Sequence, residues 1–266
     1  MPSRLRGEQM FHVAEFQQKR TGRFGSELHY FEELESTNLF AGQLAREGSG
    51  EGTVVVANSQ TQGRGRSGKF WFSPPDVNLY LSLILRPHAQ QLKYLPFMAA
   101  LAVIRVLRTY GLKPDLKWPN DVLVKEKKIC GILIQTAMEE NVMQFAVVGC
   151  GINVNSSHFP QELQRTATSI AGELGYTVSR ESILAFFLLE FERLYEKIDT
   201  TSWEEFCPEL ERNSSYLRGC EVRVEQNGQS WEGETMGLDS YGGLVVETNK
   251  GRQVFYAGEI QSCRRR

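Results

Sequence analysis

The sequence predicts an α+β fold: a mixed β-sheet with helices mainly on one face, followed by a small β-barrel. Three observations carry this. Apolar, β-branched runs at residues 53–57, 78–86, 129–136 and 144–148 read as buried strands. Two long stretches, 92–110 and 181–198, space their apolar residues along one helical face each. From Gly219 onward the texture changes to short strand-like runs divided by Asn227-Gly228, Gly242-Gly243 and Lys250-Gly251 turns.

With 266 residues the chain is long enough for one large domain and a smaller one. We expect a basic N-terminal arm over 1–25, a main domain over 26–217 and the barrel over 218–266. The net charge of −2 implies no general polyanion-binding surface, so any basic site is local. The five cysteines (Cys130, Cys150, Cys207, Cys220, Cys263) are odd in number, scattered and without a C-x-x-C pair. That pattern argues against a disulfide framework and a zinc site, and fits a reducing compartment. No run approaches the ~20 apolar residues of a membrane helix. The N-terminus carries Arg4, Arg6, Lys19, Arg20 and Arg23 with no apolar signal core, so a cytoplasmic chain is expected.

Taken in order, residues 1–25 are polar and basic, with one weak amphipathic patch at Phe11, Val13, Ala14 and Phe16. Either a short helix or a disordered arm fits them. Residues 28–31 read as a strand. Ser36 or Thr37 then offers an N-cap for a helix to about Arg46, and capping alone is the bland reading of Ser36-Thr37-Asn38. The strand at 53–57 delivers the chain to Gln60 and then to Gly63-Arg64-Gly65-Arg66-Ser67-Gly68-Lys69-Phe70-Trp71. Three glycines alternating with three cations free the backbone and bring guanidinium forks to an anion, as in a mobile loop closing over a small acidic ligand. The bland alternative is a solvated basic turn. Because the strand at 78–86 follows, the loop is mounted between two buried strands, as functional loops usually are.

The helix at 92–110 stops at Gly111. Lys117-Trp118-Pro119-Asn120-Asp121 is a rigid bend, since proline lacks an N–H and forces its predecessor extended. A hairpin follows: strand 122–124, the charged turn 125–128, strand 129–136. The next strand leads to Gly149-Cys150-Gly151, where glycines within a strand mark a bulge or a close approach to a ligand. The aromatic stripe of 181–198 reads as core, 203–216 as a short helical connector, and Arg264-Arg265-Arg266 as a frayed end.

Asn120-Asp121 suits Mg²⁺ and a nucleotide, and Lys128, feeding a buried strand, aims an ammonium inward. For either alone the bland reading, a turn for Asn120-Asp121 and a solvated charge for Lys128, is the better one. The Gly/Arg loop is no Walker P-loop, lacking Gly-Lys-Ser/Thr, and no Rossmann fingerprint, because a strand and not a helix follows. An Arg/Gly loop between strands points instead to activation of a carboxylate by ATP, where charge accumulating on the α-phosphate needs cations.

Six motifs occur in order: Ser36-Thr37-Asn38; Gln60 through Gly68 with Trp71 and Ser73; Asn78 to Ser82; Lys117 to Asp121; Lys128 to Leu133; and Gly149 to Asn153. Together, from about residue 28 to the C-terminus, they resemble the biotin protein ligases (biotin–[acetyl-CoA-carboxylase] ligases). The resemblance implies a class II synthetase-like catalytic core and an SH3-like C-terminal barrel. It implies two steps: biotin and Mg-ATP give biotinyl-5′-AMP and pyrophosphate, and the biotinyl group passes to one lysine of a biotin carboxyl carrier protein. Biotin would be held by Ser36, Thr37, Asn38, Gln60, Gly63, Arg64, Gly65, Arg66, Lys128, Gly131, Gly149 and Gly151. The nucleotide would meet Arg66, Trp71, Asn120, Lys128 and Asn153. Lys128, Arg66 and Asp121 would be catalytic, the last accepting a proton from the acceptor amine. No protein-held metal site is implied beyond Mg²⁺ with ATP.

Three positions depart from the family pattern: Gln135 for a frequent Glu, Ser67 for a frequent cation, and Cys263 where an ATP-contacting arginine is often found. A lipoate or octanoate ligase is the second reading, since it shares fold and chemistry. A biotin-responsive repressor needs a helix-turn-helix module, and 35 residues before Ser36 leave no room for one, so no sequence-specific DNA binding is expected. A pure interaction module built on the barrel is the third, and the polar motifs upstream argue against it. A homodimer is possible; no membrane partner is expected.

Overall fold

Alternate side chains of a strand point to opposite faces of its sheet, and this chain buries both faces against different partners. The computed structural model describes residues 10–140 and 142–265, the side chains of 262, 264 and 265 excepted. In chain order the elements are α1 (Val13–Lys19), β1 (Leu28–Leu34), α2 (Thr37–Arg46), β2 (Val54–Gln60), β3 (Leu79–Leu85), α3 (Leu95–Thr109), β4 (Pro114–Lys117), β5 (Asp121–Val124), β6 (Lys127–Glu139) and β7 (Val142–Ile152). Then come α4 (Ile170–Leu174), α5 (Arg180–Tyr195), α6 (Trp203–Arg212), β8 (Arg218–Gln226), β9 (Gln229–Leu238), β10 (Leu244–Thr248), β11 (Gly251–Phe255) and β12 (Glu259–Arg265).

The first seven strands form one sheet in the order β1-β2-β3-β7-β6-β5-β4. β1 and β2 are parallel and the other neighbours antiparallel, so the sheet is mixed, as expected. On one face Val54, Val56, Leu81, Leu83, Ala146 and Val148 enter the main core with α3 and α5. On the other, Val55, Ile84, Phe145 and Val147 pack on Ala41 and Ala45 of α2. The two long helices thus share a face. α2 covers only part of the second face, and the remainder holds the site.

Residues 10–25 form the helix α1 and turns, and Phe11, Phe16 and Phe24 are buried in the main core. Each such side chain is worth roughly 1.5–3 kcal/mol of transfer free energy. The predicted helix at 92–110 begins as a 3₁₀ turn over Ala89–Tyr94 and becomes α-helical at Leu95, with Gly111 at φ 76° closing it. The second long helix ends at Tyr195, three residues before the expected end, and the connector helix ends at Arg212.

The C-terminal strands form a five-stranded antiparallel ladder, β11-β10-β9-β8-β12. Its Val222, Val224, Leu244, Val246 and Ile260 continue the main core, and Trp118 Nε1 donates to Gly242 O across the junction at 3.2 Å. Two expectations are corrected here. Arg264 and Arg265 are not a frayed end: their backbones pair with Glu221 and Cys220 in the β12–β8 ladder, while Arg266 lies outside the described residues. Cys220 and Cys263 are not scattered thiols but a disulfide, with Cα atoms 5.9 Å apart. Their separation of 43 positions carries no local signal, and the β8–β12 pairing alone brings them together. Cys130, Cys150 and Cys207 remain as thiols. Among the described residues no helix is long and apolar enough to cross a membrane.

Candidate active site

The second face carries two rows running across the strands, which extend from under α2 into the uncovered part. One row is Ala57, Tyr80, Gly151, Gly131, Asp121 and Lys117 on β2, β3, β7, β6, β5 and β4. The other is Val55, Ser82, Gly149 and Leu133. In the middle of both rows glycine replaces the side chain that alternation would place there. None of the three has a positive φ, so what they supply is space. A Cβ on Gly149 would lie 2.7 Å from Asn38 Cγ, and Cβ atoms on Gly131 and Gly151 would each lie 2.8 Å from an indole carbon of Trp71.

At one end of the rows sits a hydrogen-bonded cluster from the start of α2. Ser82 Oγ donates to Asn38 Oδ1 (2.6 Å) and approaches Thr37 Oγ1 at 2.8 Å, and Asn38 Nδ2 donates to Leu133 O (3.2 Å). Gln60 Oε1 accepts from Thr37 N (2.9 Å) and Thr37 Oγ1 (3.2 Å), while its Nε2 donates to Ser73 Oγ (3.0 Å). Ser36 occupies the N-cap position, yet its side chain makes no capping bond. Gln60, on the neighbouring strand, satisfies a free N–H of the first turn instead. The capping expectation for Ser36 or Thr37 is corrected accordingly: Thr37 and Asn38 are buried polar groups tied to the sheet.

The Gly/Arg loop is folded down on the site. Trp71 N donates to Gly63 O (2.8 Å), Gly65 N donates to Lys69 O (2.7 Å), and Arg64 bridges Phe70. Its tip is a 3₁₀ turn, Arg66–Gly68, with Ser67 at φ 54° and Gly68 at φ 74°, left-handed values that glycine tolerates far better than serine. Gly63 is packed too closely for a side chain, 2.6 Å from Ser73 Oγ to a Cβ. Arg64 pairs with Glu35 at 3.3 Å on the exposed surface, an interaction of at most about 1 kcal/mol. Arg66, half-buried, donates to Asn120 Oδ1 (3.3 Å) and Gly258 O (3.4 Å), and Lys69 pairs with Glu259 at 2.5 Å. The loop therefore bridges the main sheet and the barrel.

Lys128 lies at the charged end, 2.7 Å from Asp121 Oδ1, with its ammonium 5.2 Å from the Trp71 ring centre. Its backbone is fixed on both sides: Lys128 N donates to Thr166 O (2.7 Å), and Lys128 O accepts from Thr168 N (3.0 Å). Asn153, 4 % exposed, directs its amide to Lys128 O (3.4 Å) and Thr168 O (3.0 Å), so it reaches the site through the Lys128 backbone. Asn120 is anchored to Ile132 by Nδ2–H···O at 2.5 Å. Burial pulls the Arg66 guanidinium down from its ordinary value, with Asp121 and Glu259 opposing. Partial burial works to raise the Glu259 carboxyl, but Lys69, with Lys117 and Lys128 behind it, outweighs burial and holds the group below the usual carboxylate range. Burial pushes the Cys130 and Cys150 thiols up, so neither is a nucleophile.

The structure brings Thr37, Asn38, Gln60, Arg66, Trp71, Asn120, Asp121, Lys128, Gly131, Gly149 and Gly151 to this face, and leaves Arg64 outside and Asn153 behind. Sequence reasoning named Ser82 only as the end of a motif, without a place in the site, and did not assign Glu259 to it. For Ser82 a signal existed, one hydroxyl in the otherwise apolar run Leu79–Leu85. The arrangement offers hydrogen-bonding groups at one end, a slot over glycines and an indole in the middle, and cations at the other, which suits a polar ring carrying an apolar tail and a carboxylate.

Residues 13–153 match the model of the biotin/lipoate A/B protein ligase family, and 219–261 match the biotin protein ligase C-terminal domain. The chain is 36 % identical over 249 residues to the bifunctional ligase/repressor BirA of Bacillus subtilis, covering 91 % of this chain and 76 % of that one. It is 33 % identical to the biotin–[acetyl-CoA-carboxylase] ligase of Paracoccus denitrificans, covering 85 % and 96 %. The solved structure of the biotin protein ligase from Aquifex aeolicus with biotin and ATP superposes with a TM-score of 0.76 at 32 % identity, over 91 % of this chain and all of that one. By sequence, by both domains and by fold, the chain belongs to the biotin/lipoate A/B protein ligase family, in its biotin protein ligase branch.

Proposed function

We propose that the protein activates biotin with ATP to biotinyl-5′-AMP and transfers the biotinyl group to a lysine of a biotin carboxyl carrier protein. The observation that carries this is the polarity of the site: Thr37, Asn38, Gln60 and Ser82 at one end, glycines 131, 149 and 151 between, and Lys128 with Arg66 at the other. In this reading the polar end takes the ureido ring and the glycine rows take the valeryl chain. Lys128 and Arg66 neutralise two anions that must approach, the biotin carboxylate and the α-phosphate. The loop, already seated on Asn120 and the barrel, shields the mixed anhydride from water. Asp121, oriented by Lys128, accepts a proton from the acceptor amine.

Among the described residues no cluster of three or more His, Cys, Asp or Glu side chains gathers. The hard oxygen donors Asp121 and Asn120 fit Mg²⁺ that arrives on the nucleotide, where it would neutralise phosphate charge. A cytoplasmic setting and a homodimer through an edge strand of the large sheet belong to the same proposal. The test is pyrophosphate release from ATP with biotin or lipoate, with and without a carrier domain. Release with biotin and labelling of the carrier support the reading, and release with lipoate alone overturns it.

A further inference from the structure

Lys117 has no role in the reading above. It is the last residue of β4, between Leu116 (0 % exposed) and Trp118 (2 %), which lie in the main core. Alternation therefore turns Lys117 to the second face, at the far end of the glycine row. Its backbone is held, since Leu116 N donates to Asn213 O (2.8 Å) and Trp118 Nε1 to Gly242 O (3.2 Å). Directly across from it is Asp121, whose carboxylate is already committed to Lys128 at 2.7 Å. Among the described residues the half-buried Lys117 ammonium has no hydrogen bond and no ion pair within 4 Å, unlike Lys69 and Lys128. Burial pulls it below the ordinary lysine value; Asp121 and Glu259 oppose this, and Lys128 and Lys69 add to it.

Four cations (Arg66, Lys69, Lys117, Lys128) thus share one end of the site with two carboxylates (Asp121, Glu259), in a chain whose net charge is −2. An unpaired, desolvated ammonium is costly unless an anion comes to it. Strands lie ~4.8 Å apart, so the Lys117 backbone sits about 10 Å along the row from Gly131, beyond Lys128 and on the side away from the hydrogen-bonding end.

We propose that Lys117 is a catalytic residue of the adenylation step, its ammonium holding the β- and γ-phosphates and stabilising pyrophosphate as it departs. This rests on the proposed biotin activation. A biotin carboxylate oxygen bonds to the α-phosphorus while the bond from that phosphorus to the bridging oxygen breaks. The electron pair leaves with pyrophosphate, no proton moves, and the contact with Lys117 strengthens as charge gathers there.

The test compares wild type with Lys117→Met and Lys117→Arg in two assays: single-turnover pyrophosphate release from biotin and Mg-ATP, and transfer from synthetic biotinyl-5′-AMP to a carrier domain. We expect Lys117→Met to slow pyrophosphate release about 10²–10³-fold, to leave transfer within threefold, and to keep wild-type biotin binding. Lys117→Arg restores most of the rate and removes the alkaline limb that deprotonation of Lys117 gives the wild type. Release unchanged in Lys117→Met overturns the assignment. Equal losses in both assays also overturn it, pointing to a structural role, and loss of transfer alone makes Lys117 the base for the acceptor amine. Should Lys117→Met not fold, Lys117→Arg and its pH profile decide: an unaltered alkaline limb overturns the assignment. Wild type that releases no pyrophosphate with biotin sinks the underlying function instead.

Discussion

Replacing Gly149 with alanine tests whether the glycine rows exist to let polar groups reach the sheet. The added methyl would stand 2.7 Å from Asn38 Cγ and 2.8 Å from Asn38 Nδ2, far inside van der Waals contact, so Asn38 must move. Moving it breaks two bonds, Ser82 Oγ–H···Oδ1 (2.6 Å) and Nδ2–H···O of Leu133 (3.2 Å). Ser82 keeps its contact with Thr37 Oγ1, so its hydroxyl is not orphaned. Two buried hydrogen bonds at about 0.5–1.5 kcal/mol each, plus partial orphaning of the Asn38 amide, sum to ~2–4 kcal/mol. For a chain of this length that lowers the unfolding midpoint by roughly 5–15 °C. If the same groups hold biotin, the identical loss weakens binding about 30- to 1000-fold. Thermal unfolding and titration calorimetry with biotin read both quantities. Gly50→Ala is the control, because a Cβ there meets nothing within 4 Å. A Gly149→Ala protein that melts within about 2 °C of wild type and binds biotin as tightly would refute the steric reasoning.

Two further outcomes follow from the loop and the barrel. Reducing the Cys220–Cys263 bond opens a loop of 43 residues, which in the chain-entropy description removes up to about 4 kcal/mol. Urea unfolding with and without a dithiol measures it, and coincident curves would contradict the bridge. Burial works to raise Glu259, but Lys69, Lys117 and Lys128 together hold it below its free value of 4.5, so its folded pKa lies under its unfolded one. Its contribution is therefore complete above about pH 4.5 and disappears as pH falls through the lower folded value. Protease cleavage at Arg64 and Arg66 should increase over that acid range in wild type and be insensitive to pH in Glu259→Gln, with both measured against a loop-independent cleavage. Identical profiles in the two proteins would remove the Lys69–Glu259 contact from the account of loop closure.

What the sequence made legible was whatever is repeated along a strand or helix. The β-branched run at 53–57 announces β2, because burial on both faces demands apolar residues at successive positions. The motif residues announce the site's chemistry but not its layout. That Gly131 stands opposite Gly151, and Asp121 opposite Lys117, is a matter of register between strands, which no local pattern encodes. The same holds for the disulfide and for Arg264 and Arg265, whose place in β12 depends on β8 forty residues earlier in the chain. The β6–β7 hairpin outruns its predicted strands because its tip, with Met138 and Val142 exposed, lacks the apolar alternation that marks a buried strand. Ser82 was hidden the opposite way, as one hydroxyl in an apolar run whose partners come from α2. Gln60 was visible as a motif residue, but its capping of the first turn of α2 came only with the fold.

Single-turnover pyrophosphate release by Arg66→Ala and Lys128→Met, with biotin and Mg-ATP saturating, decides whether cations at the charged end bring two anions together. Each loss should slow adenylate formation about 10²–10³-fold, the usual cost of removing one preorganised donor from a developing charge. Wild-type rates in both variants, with folding intact, would mean that the loop and Lys128 do something else.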